Sequence, residues 1–406
     1  MMRHSHRRTL LPAAALLMAT AAGCAGPTAQ QAAAPAPAPA PVEAAPTSPN
    51  ASASPTTALR PFTLVASGDV LPHASIIRQA QADAGGTGYD FGRMLAGVQP
   101  VVAAADLAIC HMETVYGADG GPYTGYPTFK SPPEVAKALR DTGYDSCSTA
   151  SNHTLDAGAA GIARTLGAMD AVGLQHAGSA RTEEESARPA LLSAGGASVA
   201  QLAYTYDTNG IPLPEGRPWS VHLIDRDRIV ADARAARRAG ADVVVVSMHW
   251  GTEWQDEPNE QQLTLAKELT ASQTDGRRDI DLIIGTHAHI PQAYEQVNGT
   301  WVVYGMGDQL AGDMFNYSGD FDPRGNQSSI ARFTFTPPTG PQQPWTVGKA
   351  EFVPQLMDLS TNRVLNLPEA LTRDPGNAAY AQALDHIRSV VLSRSAAGAG
   401  LTMADH

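Results

Sequence analysis

The sequence predicts an α/β fold, with a parallel sheet followed by a second sheet built from later hairpins. Three observations predict it. Apolar runs alternate with amphipathic stretches of helical period from Phe62 to Gly285. Later runs, Trp301 to Tyr304 and Ser329 to Phe335, read as strands of an antiparallel part. Finally, five apolar runs end in short polar blocks: Gly68-Asp69, Met112-Glu113, Ser151-Asn152-His153, His249-Trp250-Gly251 and Gly285-Thr286-His287-Ala288-His289. In an open α/β sheet such strand ends converge on one side of the sheet, where ligands bind.

The elements follow in order. Phe62 to Ser67 is a strand that ends at Gly68-Asp69, and Phe91 to Ala104 is amphipathic and helical. Leu107 to Cys110 is a short strand leading to Glu113. Pro132 to Asp141 opens on prolines and places Val135 and Leu139 four apart, so it is a helix. Tyr144 to Thr149 is a strand ending at Asn152-His153, and Gly158 to Ala171 a helix with Ile162, Leu166 and Met169 on one face. Ala190 to Tyr206 is a hairpin turning at Gly195-Gly196. A charged helix, Asp225 to Ala239, precedes the strand Val243 to Met248. Gln261 to Thr270 is helical, Leu282 to Gly285 is a buried strand, and Gly376 to Ser393 is a last helix.

The first part of the chain is of another kind. Residues 1–23 combine Arg3, Arg7 and Arg8 with the apolar run Leu10 to Ala22, the pattern of a secretory signal. The run is too short for a stable transmembrane helix. Cys24 directly after Ala21-Ala22-Gly23 resembles a bacterial lipobox, with Ala21 where Leu is usual; ordinary cleavage nearby is the alternative. Arg7-Arg8 also leaves a twin-arginine route open beside the general one. Residues 24–59 are mostly Ala, Pro, Ser, Thr and Gln, too polar and too poor in large side chains to offset their ordering entropy. They read as a semi-stiff tether, and residues 60–406 as the domain it carries. These features predict a lipid-anchored protein on the outer side of the cell membrane.

The 406 residues carry net charge −12, and the body without the signal arginines is more acidic still. Nucleic-acid binding, which needs a basic surface, is therefore excluded. Cys110 and Cys147 are the two cysteines of the body. Each precedes a polar block, so they are either a disulfide across neighbouring strands or two small buried hydrophobes.

The blocks hold the ligand types that bind zinc, manganese or iron, so one or two divalent ions are expected. His287 and His289 alternate after a strand, and His249 sits at another strand end. Asp69 and Glu113 are the carboxylates, either of which can bridge two ions. Asn152 is a less usual ligand, while His153 can stay off the metal as a general acid with Asp156 orienting it. The alternative for Asn152-His153 is a helix-capping pair. No Gly-x-Ser-x-Gly elbow or Walker loop is present, which excludes serine-hydrolase and P-loop chemistry.

In this order and spacing the blocks resemble the bacterial capsule-synthesis CapA family, associated with poly-γ-glutamate synthesis. The resemblance runs from about Phe62 to Asp313 and extends beyond ligands, to Phe129-Lys130-Ser131-Pro132-Pro133-Glu134, Met248-His249-Trp250-Gly251-Thr252-Glu253-Trp254 and His289-Ile290-Pro291-Gln292. It implies a calcineurin-like metallophosphatase fold, a four-layer sandwich of two mixed β-sheets flanked by helices. It also implies that Asp69, Glu113, Asn152, His249, His287 and His289 are metal-site positions, with His153 the acid-like histidine. The implied partners are the capsule or poly-γ-glutamate polymer and its synthesis machinery.

Three motifs depart from the family's pattern: Ser151-Asn152-His153 for Asn-Asn-His, His287-Ala288-His289 for His-Pro-His, and Tyr304-Gly305-Met306-Gly307-Asp308-Gln309 for Tyr-Ser-Leu-Gly-Asn-Phe. The family also lacks the Asp-x-His opening of ordinary metallophosphoesterases, and here Asp69-Val70-Leu71 leaves one metal position short of a ligand, with His73 the nearest substitute. Two functions follow. One is a metal-dependent hydrolase using metal-activated water. The other is a non-catalytic, polymer-binding accessory of synthesis or export.

Overall fold

The computed structural model describes residues 58–340 and 343–404. The expected signal at 1–23, Cys24 and all but the last two residues of the 24–59 tether lie outside the described residues. In chain order the strands are β1 (Phe62–Leu71), β2 (Leu107–Met112), β3 (Ser146–Ser148), β4 (Gln175–Ala177), β5 (Ala190–Ala194), β6 (Ala197–Thr205) and β7 (Val243–His249). A small hairpin, β8 (Gln273–Thr274) and β9 (Arg277–Arg278), precedes β10 (Leu282–Thr286), β11 (Tyr294–Val297), β12 (Thr300–Val303) and β13 (Asp308–Ala311). Then come β14 (Gln327–Thr336), β15 (Thr346–Asp358), β16 (Arg363–Asn366) and β17 (Leu401–Met403).

These strands form two mixed sheets. Sheet one has the order β16-β15-β14-β1-β2-β3-β4, with β13 pairing with β1 and β17 with β15. Its β1 to β4 run parallel, while β14, β15 and β16 are antiparallel. Sheet two has the order β11-β12-β10-β7-β6-β5, a parallel centre with an antiparallel strand at each edge.

Alternation along all-apolar strands explains the layering. Successive side chains of a strand point to opposite faces, so a strand buried on both faces is apolar throughout. Leu64 and Ala66 of β1 meet Val243 and Val245 of β7 in one core between the sheets. Val65 turns the other way, onto Ile76, Met94, Leu139 and Met169 of the helices behind sheet one. Val244 and Val246 likewise face Ile229, Ala233 and Leu269 behind sheet two. The result is helix, sheet, sheet, helix. Each fully buried Val or Leu contributes about 1.5–3 kcal/mol, so a polar residue at Val244 or Val245 would break a core on one side only. The final helix, Ala378–Val391, joins the inter-sheet core through Ala383, Ile387 and Val391. Its first turn is capped by the Asn377 side chain, which accepts from the Tyr380 amide at 3.1 Å.

The fold corrects the expected order of the sheets. The later strands do not make a separate second sheet. Trp301 lies on β12, which runs parallel to β10 in the centre of sheet two, while Ser329 to Phe335 lies on β14 and returns to pair with β1 in sheet one. Apolar runs reveal that a strand is buried, not which strand it lies beside. The expected helix over Phe91 to Ala104 is two short pieces, Gly92–Leu95 and Gln99–Ala103. Pro100, which has no amide hydrogen, lies in the first turn of the second piece. The first strand does not stop at Ser67 but runs on to Leu71, with an irregularity between Ala66 and Asp69. Cys110 and Cys147 are register partners on parallel β2 and β3, and they form a disulfide with Cα atoms 4.4 Å apart. Among the described residues no helix is long and apolar enough to cross a membrane.

Candidate metal centre

All five polar blocks meet at one end of the sandwich, because the parallel strands of both sheets point there. β1 continues past its apolar part so that Asp69 lies beside His111 on β2 and Asp308 on β13. Gly68 permits this crossing: a Cβ there would sit 1.7 Å from the Gly307 carbonyl oxygen, which accepts from the Asp69 amide at 3.0 Å. Glu113 directly follows β2, and Asn152 and His153 follow β3. His249 ends β7, while His287 and His289 follow β10. His287 and His289 have φ of 94° and 59°, in the left-handed region that costs a non-glycine residue energy. The strain is spent where it turns two imidazoles toward the same interior.

The polar atoms face one another without partners. Asp69 Oδ1, both carboxylate oxygens of Glu113, His111 Nε2, His287 Nδ1 and Asp308 Oδ2 are buried and make no hydrogen bond. Native interiors leave few such groups, and each needs an explanation. Their spacing supplies one. His111 Nε2 is 3.4 Å from Asp69 Oδ1, and His249 Nε2 is 3.8 Å from Glu113 Oε1. Three groupings place their donor atoms within 4.8 Å of one another: Asp69, His111 and His249; Glu253, His287 and His289; and Asp69, Glu113, His289 and Asp308. That is the donor chemistry and crowding of a site for one or two divalent ions.

The protonation balance has the same sign. Burial pushes Asp69 up to about 8, with Asp308 adding repulsion. Burial, then Asp69, holds Glu113 well above the usual carboxylate range. Burial drives His111 down to about 3 and keeps His249 and His287 neutral. Burial also opposes protonation of His289, but Asp308 and Glu113 outweigh it. Buried carboxyl groups whose ionised form is disfavoured, with His289 the protonated ring between them and neutral imidazoles beside them, are what a cation would relieve.

Several contacts orient these groups. His249 Nε2 is 2.9 Å from Asn152 Oδ1, and its Nδ1 is 3.0 Å from Thr286 Oγ1. The His287 amide donates to Asp69 Oδ2 at 3.1 Å, tying sheet two to sheet one. His289 Nδ1 is 2.9 Å from Asp308 Oδ1. His153 stands beside the cluster, its Nδ1 2.7 Å from Asp156 Oδ2, which also accepts from the Phe129 amide at 2.6 Å. Trp250 lies in the core behind sheet two and donates its indole N–H to the Tyr304 carbonyl at 2.9 Å.

The expected metal-site positions Asp69, Glu113, Asn152, His249, His287 and His289 are therefore close together, with His153 and Asp156 beside them, while Cys24 lies outside the described residues. His73 is not among the groupings: its Nδ1 is 3.0 Å from the Leu71 carbonyl and accepts from the Gly312 amide at 3.1 Å, with its ring edge-on to Phe129. Asp69-Val70-Leu71 supplies no histidine, but His111 on the next strand brings an imidazole to within 3.4 Å of Asp69. Sequence reasoning missed His111, Asp308 and Glu253. His111 carried a signal, since it stands two residues before Glu113, and period two puts both on one face. Asp308 was visible only as a departure from the expected amide.

The fold and this cluster define a four-layer α/β sandwich with a buried histidine–carboxylate centre at its strand ends. The model of the bacterial capsule synthesis protein PGA_cap family matches residues 63–313, and the chain belongs to that family. It is 27% identical over 176 residues to the PGA biosynthesis protein CapA of Bacillus subtilis, covering 43% of this chain and 44% of that protein. To the capsule biosynthesis protein CapA of Bacillus anthracis it is 26% identical over 179 residues, 43% of this chain and 42% of the relative. The matched segment thus spans less than half of either relative. Among solved structures, a 5'-nucleotidase precursor from Thermus thermophilus superposes with a TM-score of 0.41 at 15% identity, covering 80% of this chain and 59% of that one. The NAD nucleotidase NadN of Haemophilus influenzae gives 0.42 at 13% identity, covering 85% and 64%.

Proposed function

We propose that this family member is a metal-dependent hydrolase of capsule or poly-γ-glutamate synthesis, held at the outer face of the cell membrane by a lipid on Cys24. The observation that carries the enzymatic reading is the set of partnerless buried donors beside a histidine–aspartate pair. Asp69, Glu113, Asn152, His111, His249, His287, His289 and Asp308 have the chemistry to hold one or two ions, of manganese, zinc or iron type. When bound, such an ion supplies Lewis-acid polarisation and acidifies water. His153 lines the cleft that opens from the centre, where its Nε2 can pass a proton to a leaving oxygen. Asp156 accepts from Nδ1 and so fixes which ring nitrogen faces the cleft.

The missing histidine after Asp69 favoured the non-catalytic, polymer-binding reading. His111, 3.4 Å from Asp69, weakens that reason. The test is metal content followed by turnover. Two tightly held ions per chain, and hydrolysis of model phosphodiesters or γ-glutamyl peptides with manganese or zinc, are expected. Tight metal with no turnover on either class would favour the accessory role.

Membrane attachment rests on the basic, apolar and Gly-Cys pattern of the signal and on the disulfide, which suits an oxidising compartment. Cys24→Ala should release the protein or leave it unprocessed. Wild type that fractionates as soluble and carries no lipid by mass spectrometry would end that part of the proposal.

A further inference from the structure

Beside the centre lies a cleft of about 540 Å³, reaching from His153 and His289 out to the loop after β13. Its rim is aromatic and open to water: Tyr126 is 78% exposed, Phe315 58% and Tyr317 74%. Exposed apolar rings gathered at one cleft mark a binding surface. The loop that carries two of them is built rather than loose. Phe315 and Phe321 form an antiparallel bridge, and Asn316 Oδ1 accepts from the amides of Ser318 and Asp320 at 3.0 and 3.2 Å. Trp254 forms the floor, its amide donating to the Ala288 carbonyl at 2.9 Å between the two site histidines.

Away from His289 at its inner end, the charge of this cleft has one sign. Glu253 and Asp313 line it, and among the described lining residues none is Lys or Arg. Carboxylates accept hydrogen bonds from hydroxyls and repel other carboxylates. Aromatic faces take the C–H face of a ring. Resting on the hydrolase reading, we infer that the substrate group next to the bond attacked is a neutral, hydroxyl-bearing ring, a sugar unit, which stacks on Tyr126, Phe315 and Tyr317, and not a run of carboxylates. The centre would hold the polar reacting group, and the cleft would select what is attached to it.

The test is calorimetric titration of the full-length, manganese-loaded protein with cellotetraose and chitotetraose, and separately with a short poly-γ-glutamate. At least one of the two glycans should bind saturably, about tenfold more weakly to Phe315→Ala and to Tyr317→Ala, the scale of one aromatic contact. Tyr317→Phe should keep most of the binding, and Asp313→Lys should strengthen binding of polyglutamate. Tighter binding of polyglutamate than of either glycan by wild type, or no saturable binding of both glycans, would overturn the inference. Glycan binding that persists in a protein with no turnover on any ester or γ-glutamyl peptide would overturn the hydrolase reading alone. Turnover on ring-free esters without glycan binding would overturn only this one.

Discussion

The two sheets bring different chemistry to the same point. Sheet one and the segments leaving its strands supply Asp69, Glu113, Asn152 and Asp308, together with the imidazole of His111. Sheet two supplies His249, His287 and His289, and the segment after β7 adds Glu253. Carboxylates crowded alone repel one another in a buried place, and imidazoles alone are neutral lone pairs with nothing to hold. The packing of one sheet on the other completes two of the three groupings, Asp69 with His111 and His249, and Asp69 with Glu113, His289 and Asp308. The inter-sheet core directly below, made of Leu64, Ala66, Val243, Val245 and Ile284, is apolar and sets the spacing of the two ligand sets. The difference between the sheets means that the centre is a property of the interface between them.

The comparison can be broken from either side. The largest effect is expected from His249→Ala and His287→Ala, which remove candidate ligands of sheet two. Each should weaken metal binding by more than roughly 100-fold, beyond the usual effect of residues that merely orient ligands, whereas His73→Ala should leave metal content near wild type. Elemental analysis of the three purified variants decides it, and equal metal content in all would refute a shared site. Next comes His153→Ala, with turnover down roughly 100-fold or more if it is the general acid and metal retained. Asp156→Asn should give a smaller loss of the same kind, measured in the same assay. Loss of metal from His153→Ala would instead make that residue a ligand.

A third test sharpens the role of sheet one. Asp308→Asn should lower metal affinity by about 10- to 100-fold, because Asp308 orients His289 and also points a partnerless oxygen at the cluster. A competition titration with a chelator would measure it. A loss no larger than that of His73→Ala would remove Asp308 from the centre.

The smallest effect lies at the flank of sheet two. Burial drives His222 down to about 4, and its Nε2 is 2.7 Å from Ser186 Oγ. Because the folded value lies below the unfolded one, protons favour the unfolded chain. Its contribution is present above about pH 6.5 and is lost as pH falls toward 4. His222→Gln should therefore lose less stability than wild type between pH 7 and 5.5, by about 1 kcal/mol, read from urea midpoints. Parallel loss in both proteins would exclude His222 as a source of acid lability.

Much of this was legible because it is local. Strand Val243–His249 reads as buried on both faces from its run of valines, and Gly285-Thr286-His287-Ala288-His289 announces a turn bearing two imidazoles whatever packs against it. The His153–Asp156 contact spans three residues, so spacing alone foresaw it. The assignment of strands to sheets was not legible in the same way. The return of β14 to β1 joins residues some 270 apart along the chain, Phe62 with Phe335 for example, and no local period encodes such a pairing.

What the sequence by itself determined is therefore the donor residue types, their places at strand ends, the acidic body and the family. Only the tertiary structure decided that Asp69 takes His111 from β2 and Asp308 from β13 rather than His73 from its own turn. It also decided that an aromatic rim with carboxylates stands over the centre. The physical reason is that residue type and period follow from each stretch of chain alone. Register, sheet partnership and the sharing of buried charge depend on which stretches meet, and that is settled by the packing of the whole.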